Sequence, residues 1–156
     1  MRGSVLVVAV ALLARIASAH PGSGIAVDKD GQVFFTDTGH GVWKIDAQGK
    51  LIDIPSSRFH WLAMDEAGRF ADSERSFGEW FERATPKGAK PCIIQCSDFP
   101  IAIGGDGNLY YADTRAGQGR IVRRTPEGRE SVLARDAAFE HTDGITCSSD
   151  GSLYIA

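Results

Sequence analysis

Residues 24–51 read GIAVDKDGQVFFTDTGHGVWKIDAQGKL and contain the pattern on which the fold depends. Short runs of β-branched and aromatic residues, which are typical of strands, alternate with glycine-containing turns that favour hairpins. The pattern predicts four consecutive strands over residues 25–28, 32–36, 42–46 and 50–54. The stretch therefore predicts one small antiparallel sheet.

The same pattern recurs three more times, starting at Trp61, Pro100 and Gly144. Two series of turn glycines keep a common period of about forty residues: Gly31, Gly68, Gly107 and Gly151 in the first hairpins, and Gly49, Gly88 and Gly128 after the third strands. Self-similarity at such a period indicates a repeat architecture.

Four-stranded units of this length stack radially as the blades of a β-propeller, since one unit alone leaves both of its faces uncovered. The frequent glycines and the missing 3.6-residue periodicity exclude helical repeats. The sequence thus predicts an all-β chain of four-stranded antiparallel blades, with blades at about residues 20–57, 58–97 and 98–140 and a partial one at 141–156.

Residues 24–51 resemble an NHL repeat, in which a hydrophobic strand, Asp-x-Asp-Gly, a second strand and Thr-Asp-Thr-Gly follow one another. The match is close in the first unit, good in the third and poor in the second, and it extends over about residues 21–156. NHL repeats share a six-bladed propeller fold with gluconolactonase- and regucalcin-like proteins. The resemblance implies that about three and a half of six blades are present.

The final residues LYIA stop where the other units place an aspartate. An open half-propeller would expose apolar sheet faces and unpaired strand edges. We therefore expect these residues to be the N-terminal part of a longer protein or a truncated reading frame. Two chains that complete one ring between them are the alternative.

The first nineteen residues have the three parts of a secretory signal peptide: a positive start at Arg2, an apolar run over residues 5–14, and Ala-Ser-Ala at residues 17–19. The apolar run is shorter than the roughly 20 residues that span a bilayer. We predict cleavage after Ala19, a mature chain of residues 20–156 that is secreted or periplasmic, and no membrane span in that mature chain.

The amino-acid composition limits which partners and which cysteine roles are expected. A net charge of −3 with 24% charged residues offers no basic surface for nucleic acid, so no nucleic-acid partner is expected. Cys92 and Cys96 lie in the predicted strand CIIQC, too far apart along it to pair. A bond from either one to Cys147 stays open, and packing is the main role expected of all three cysteines.

The resemblance also implies a ligand site at one mouth of the central channel, formed by residues that precede the first strands and by loops between second and third strands. In this sequence such positions are held by His60, Asp143 and His40, and Glu140 and His141 lie close to Asp143 in sequence. Asp143 stands where gluconolactonase-like enzymes bind a divalent metal, usually Ca²⁺, and an imidazole at His60 suits either metal binding or general base catalysis. The two asparagines of those enzymes are replaced here by His60 and Phe99.

Two function classes follow. One is a non-catalytic scaffold that binds a small molecule, a carbohydrate or a protein at the channel mouth. The other is an enzyme, either a metal-assisted lactone hydrolase or a lyase of the virginiamycin B type, in which His60 and Asp143 are catalytic or bind the metal. The fold does not decide between these classes.

Overall fold

The computed structural model describes residues 24–37, 39–56, 59–70, 81–84, 91–96, 99–114, 117 and 119–156. The predicted signal peptide lies outside these residues, so export stays a prediction. In the described part of the chain no helix is long and apolar enough to cross a membrane.

The first sheet follows the prediction closely. It contains β1 (Ile25–Val27), β2 (Val33–Asp37), β3 (Gly41–Ile45) and β4 (Leu51–Ile54), paired antiparallel in chain order. Each observed strand starts or ends within one or two residues of its predicted position. The alternation of side chains along these strands gives the sheet two distinct faces.

Among the described residues the second sheet has three strands where the sequence predicts four, and residues 71–80 and 85–90 of this unit lie outside the described ranges. It contains β5 (Trp61–Asp65), β6 (Phe81–Ala84) and β7 (Cys92–Cys96), in the spatial order β5-β7-β6. The strand β7 pairs directly with the inner strand β5, taking the place that the second strand has in the other sheets. All five residues of β7 are buried, so this apolar segment is stabilised in the middle of the sheet and not at its edge.

The third sheet repeats the architecture of the first. Its strands β8 (Ile101–Ile103), β9 (Leu109–Asp113), β10 (Arg120–Arg124) and β11 (Glu130–Arg135) again lie in chain order. A short 3-10 turn, Ala137–His141, leads to the hairpin of β12 (Ile145–Cys147) and β13 (Leu153–Ile155).

The repeated turn glycines have the predicted role. Gly31, Gly68, Gly107 and Gly151 have φ angles of 77°, 64°, 82° and 87°. A side chain is strained in this left-handed region, whereas glycine enters it readily. The period seen in the sequence therefore reflects one turn geometry used four times.

Two apolar clusters hold neighbouring sheets together. Phe34 and Val42 of the first sheet pack with Leu62 and Ile93 of the second. On its opposite face the second sheet presents Ala63, Cys92, Ile94 and Cys96 to a group from the third sheet: Ile101, Leu109, Tyr111 and Val122. Cys92 and Cys96 are thus packing residues, as predicted, and no disulfide joins any of the three cysteines, all of which are described.

Candidate functional site

The inner strands β1, β5, β8 and β12 enclose a cleft of about 280 Å³. Most of its lining residues are aliphatic, but the surface that they expose to the cleft is mainly polar. The polar side chains are Glu66, Thr146 and Cys147; the other lining residues are Ile25, Ala26, Val27, Leu62, Ala63, Met64, Ile101, Ala102, Ile103 and Ile145. The cleft is the channel side of the stacked sheets. Concave surfaces of this kind are where proteins bind small molecules.

Close to the β2–β3 and β9–β10 connections, hydrogen bonds reach the segments that leave the same sheets. The backbone N–H of Val42, just after the β2–β3 loop, donates to Ser56 Oγ in the β4–β5 connection at 2.9 Å. In the third sheet the backbone N–H of Asp136 donates to the carbonyl oxygen of Gly119 at 3.1 Å. A Cβ on Gly119 would lie 2.6 Å from backbone atoms of the 3-10 turn, so glycine is needed for this close approach.

His60 immediately precedes β5 and is half-buried. Its carbonyl oxygen accepts hydrogen bonds from the backbone N–H of Gly24 at 3.2 Å and from Thr36 Oγ1 at 2.9 Å. The residue therefore joins the first sheet to the second through its backbone. Phe99, at the equivalent position before β8, is buried and packs on Tyr111 with ring centroids 5.8 Å apart, which makes it a core residue.

Asp143 is exposed, and its backbone N–H donates to the carbonyl oxygen of Ala156 at 2.7 Å. Glu140 and His141 belong to the 3-10 turn that precedes it, and His141 is exposed. That turn begins at Asp136, whose side chain accepts the backbone N–H of Ala138 at 2.9 Å and caps the turn. These acidic and histidine side chains thus lie on the connection between the third sheet and the last hairpin.

His40 is exposed in the β2–β3 loop, where its Nδ1 lies 3.2 Å from Asp37 Oδ2. Asp37 ends β2 and accepts the backbone N–H of Gly39 at 2.8 Å. This backbone hydrogen bond lowers the pKa of Asp37 below its usual value, and the hydrogen bond with His40 acts in the same direction. The His40 ring also lies 6.1 Å from the ring of Trp43.

None of the five predicted site residues (His40, His60, Glu140, His141 and Asp143) lines the cleft. Within the described ranges, no three His, Cys, Asp or Glu side chains converge as a metal site would require. The predicted residues lie on the connections between strands, whereas the cleft is lined mainly by the inner strands themselves. Metal binding by Asp143 and His60 stays a prediction.

A polar group beside the cleft was not predicted. The Tyr110 hydroxyl donates to Asp106 Oδ2 at 2.7 Å, and Asn108 Nδ2 donates to the same oxygen at 2.6 Å. Burial and the hydrogen bond to Asp106 raise the pKa of Tyr110 to about 12. Burial and the charge of Asp106 raise the pKa of Cys147, which lines the cleft, to about 11. The sequence places Asp106 and Cys147 in different repeats, so only the packing of the hairpin on the third sheet shows this proximity.

Cys147 should consequently react slowly with alkylating reagents. At pH 8 its thiolate fraction is about a hundred-fold smaller than that of a thiol with a pKa of 9.0. We expect iodoacetamide labelling of Cys147, followed by peptide mass spectrometry, to accelerate with pH up to about pH 11. The unfolded protein, in which all three cysteines react at ordinary rates, is the control. Labelling at pH 8 that is as fast in the folded as in the unfolded protein would contradict this assignment.

The described sheets belong to the class of the β-propellers, and the solved structures that resemble the chain are of that class. A streptogramin B lyase structure aligns with a TM-score of 0.52 at 19% identity, over 85% of this chain and 46% of that one. A virginiamycin B lyase from Staphylococcus aureus and a catalytically inactive form of it with quinupristin align with TM-scores of 0.48 and 0.46, each at 18% identity over 86% of this chain and 48% of theirs.

The chain therefore spans about half the length of these lyases, and at this identity the likeness shows the fold alone. No family model and no curated protein matches the sequence.

Proposed function

We propose that this chain is an exported β-propeller of the NHL and gluconolactonase-like kind that binds a small molecule in the cleft between its inner strands. The observation that carries the proposal is the cleft of about 280 Å³ that residues of four consecutive sheets line together. Export is supported by the signal-peptide pattern of residues 1–19.

The wall also favours a particular ligand chemistry. Although most of the lining residues are aliphatic, the surface exposed to the cleft is mainly polar. The inner strands are edge strands of their sheets, so their unpaired backbone N–H and C=O groups can hydrogen-bond a ligand. Glu66, Thr146 and Cys147 offer oxygen and sulfur atoms to one or two polar groups. Because its raised pKa keeps Cys147 protonated at neutral pH, the thiol would contact a ligand as a neutral group.

The hydrolase and lyase alternatives depend on His60 and Asp143, which lie at the ends of the inner strands β5 and β12 rather than along the cleft. In either enzyme the cleft would hold part of the substrate, and the residues at the strand ends would carry the chemistry. Binding is therefore the first property to measure, because both classes of function require it.

Binding of the neutral fluorescent probe N-phenyl-1-naphthylamine tests the proposal. A carboxylate introduced beside the cleft by Thr146→Asp should raise the dissociation constant of this neutral probe at least about tenfold, since the bound probe would remove water from the new charge. Ser149→Asp is the matched control, because Ser149 is exposed in the turn of the same hairpin and does not line the cleft.

His60→Ala and Asp143→Ala, measured in the same assay, report whether the mouth contributes to affinity. Equal dissociation constants for the Thr146→Asp and Ser149→Asp variants would refute the cleft as the binding site.

A further inference from the structure

One carboxylate lines the cleft between the inner strands, and it belongs to Glu66 in the turn that follows β5. The other polar side chains of the lining are Thr146 and Cys147, whose thiol is neutral because its pKa is raised. Among the described residues that form the lining there is no lysine, arginine or histidine. Glu66 is therefore the charged side chain that a molecule bound in the cleft would meet.

A backbone hydrogen bond from the neighbouring sheet orients the Glu66 side chain. Its Oε1 accepts the N–H of Lys29, which lies in the equivalent turn of the first sheet, at 3.1 Å. An amide N–H has no net charge, so this contact positions the carboxylate without neutralising it. Since a carboxylate can accept about four hydrogen bonds, Glu66 keeps the capacity to accept donors from a ligand.

The basic side chains beside Glu66 are engaged with other carboxylates. Arg69 Nε lies 3.3 Å from Oδ1 of Asp65, a side chain that is completely buried. Lys29 Nζ lies 3.6 Å from Asp30 Oδ1. Within the described ranges no lysine, arginine or histidine forms an ion pair with Glu66. The negative charge of Glu66 is thus available to a cation in the cleft.

The inner strands add backbone carbonyl groups to the same cleft. The residue that follows β1, β8 or β12 donates its backbone N–H across its own hairpin, from Asp28 to Gln32, from Gly104 to Asn108 and from Ser148 to Ser152. In a trans peptide unit the C=O points opposite to the N–H, so the carbonyl group one residue earlier points away from the partner strand. The inner strands are edge strands, and these carbonyl groups belong to lining residues of the cleft: Val27, Ile103 and Cys147.

We propose that the cleft binds a small organic molecule that carries a positively charged amino group, and that Glu66 is the anion that receives this group. The inference rests on the proposed function of the cleft and specifies the chemistry of its ligand. An ammonium group has three hydrogen-bond donors and no acceptor, which matches one carboxylate and the carbonyl oxygens of the same cleft. A divalent cation such as Ca²⁺ requires six or more oxygen ligands, roughly, and no three His, Cys, Asp or Glu side chains converge in the described part of the chain.

Two naphthalene ligands that differ in one group test this inference. 1-Naphthylmethylamine is positively charged at neutral pH, and 1-naphthalenemethanol is its neutral analogue. In isothermal titration calorimetry at low salt we expect the amine to have a dissociation constant about fivefold lower than the alcohol, the upper end of what an exposed ion pair contributes. Glu66→Gln should bring the ratio of the two dissociation constants to about one. The glutamine keeps an oxygen that can accept the Lys29 N–H, so this variant should fold.

Glu127→Gln is the matched control, because it removes the same charge from an exposed position outside the cleft and should keep the ratio of the parent protein. Equal dissociation constants of the two ligands for the parent protein would overturn the inference and leave the cleft as a ligand site. A preference for the amine that Glu66→Gln leaves unchanged would also overturn it. If neither ligand binds and N-phenyl-1-naphthylamine does not bind either, the proposed function of the cleft fails together with this inference.

Discussion

Replacing Ile94 by alanine is expected to lower the free energy of unfolding by about 3–4 kcal/mol. Ile94 is fully buried in β7, in the cluster between the second and third sheets. The substitution removes three carbon atoms from a site where the flanking strands cannot easily close the cavity. The variant should unfold at a lower urea concentration, while the slope of the free energy of unfolding against urea concentration stays unchanged.

Leu133→Ala provides the comparison for this prediction. Leu133 is a large aliphatic residue on a strand, but it is substantially exposed, so its truncation should change stability by less than about 1 kcal/mol. If Ile94→Ala lowers the free energy of unfolding no more than Leu133→Ala does, the second and third sheets are not packed as described.

Asp113→Ala is expected to have the second-largest effect on stability, lowering the free energy of unfolding by about 3 kcal/mol. The Asp113 carboxylate is completely buried at the end of β9 and accepts a hydrogen bond from Arg120 at the start of β10. Removing the carboxylate leaves the guanidinium of Arg120, which is only partly exposed, without this charged partner. The loss should appear as a lower midpoint in thermal and urea unfolding.

An exposed ion pair serves as the control for Asp113. Glu127 and Arg129 lie 3.8 Å apart on the surface, with both side chains largely solvated, and pairs of this kind contribute little. Glu127→Ala should leave the unfolding midpoint unchanged within error. If the Asp113→Ala variant unfolds at the same midpoint as the parent protein, the buried pair of Asp113 and Arg120 does not form.

Much of the fold was predictable because its signals are local. A hairpin of the first sheet needs only a short apolar strand, a turn glycine and a second strand, and Gly31 and Gly49 mark both turns in the printed sequence. The same logic predicted the third sheet and the last hairpin. In each case neighbouring strands in the chain are neighbours in the sheet, so loop closure is short.

The second sheet could not be predicted in this way. Its inner strand β5 pairs with β7, and residues 66–91 lie between the two. The uninterrupted apolar segment CIIQC shows a buried strand, but nothing in its pattern identifies the partner strand. The strand order β5-β7-β6 depends on which segment packs best between two other sheets, which is a property of the assembled fold.

The candidate site was predictable in part. The predicted positions of His40 between β2 and β3, of His60 before β5 and of Asp143 before β12 agree with the structure, whereas a channel mouth shared by the three stays a prediction. The rules could not show that the cleft itself is lined by aliphatic residues of four inner strands. They also could not show the proximity of Cys147 to Asp106, because that requires the packing of one repeat on another.

A methyl NMR titration of the protein with N-phenyl-1-naphthylamine tests directly whether the cleft between the inner strands is the ligand site. We expect saturable chemical-shift changes at methyl groups of all four inner strands, represented by Val27, Ala63, Ala102 and Ile145. These shifts should follow one binding curve, while Leu133 on the outer strand stays unchanged. Shifts confined to residues outside the inner strands, or no saturable shift at all, would contradict the assignment of the cleft as the ligand site.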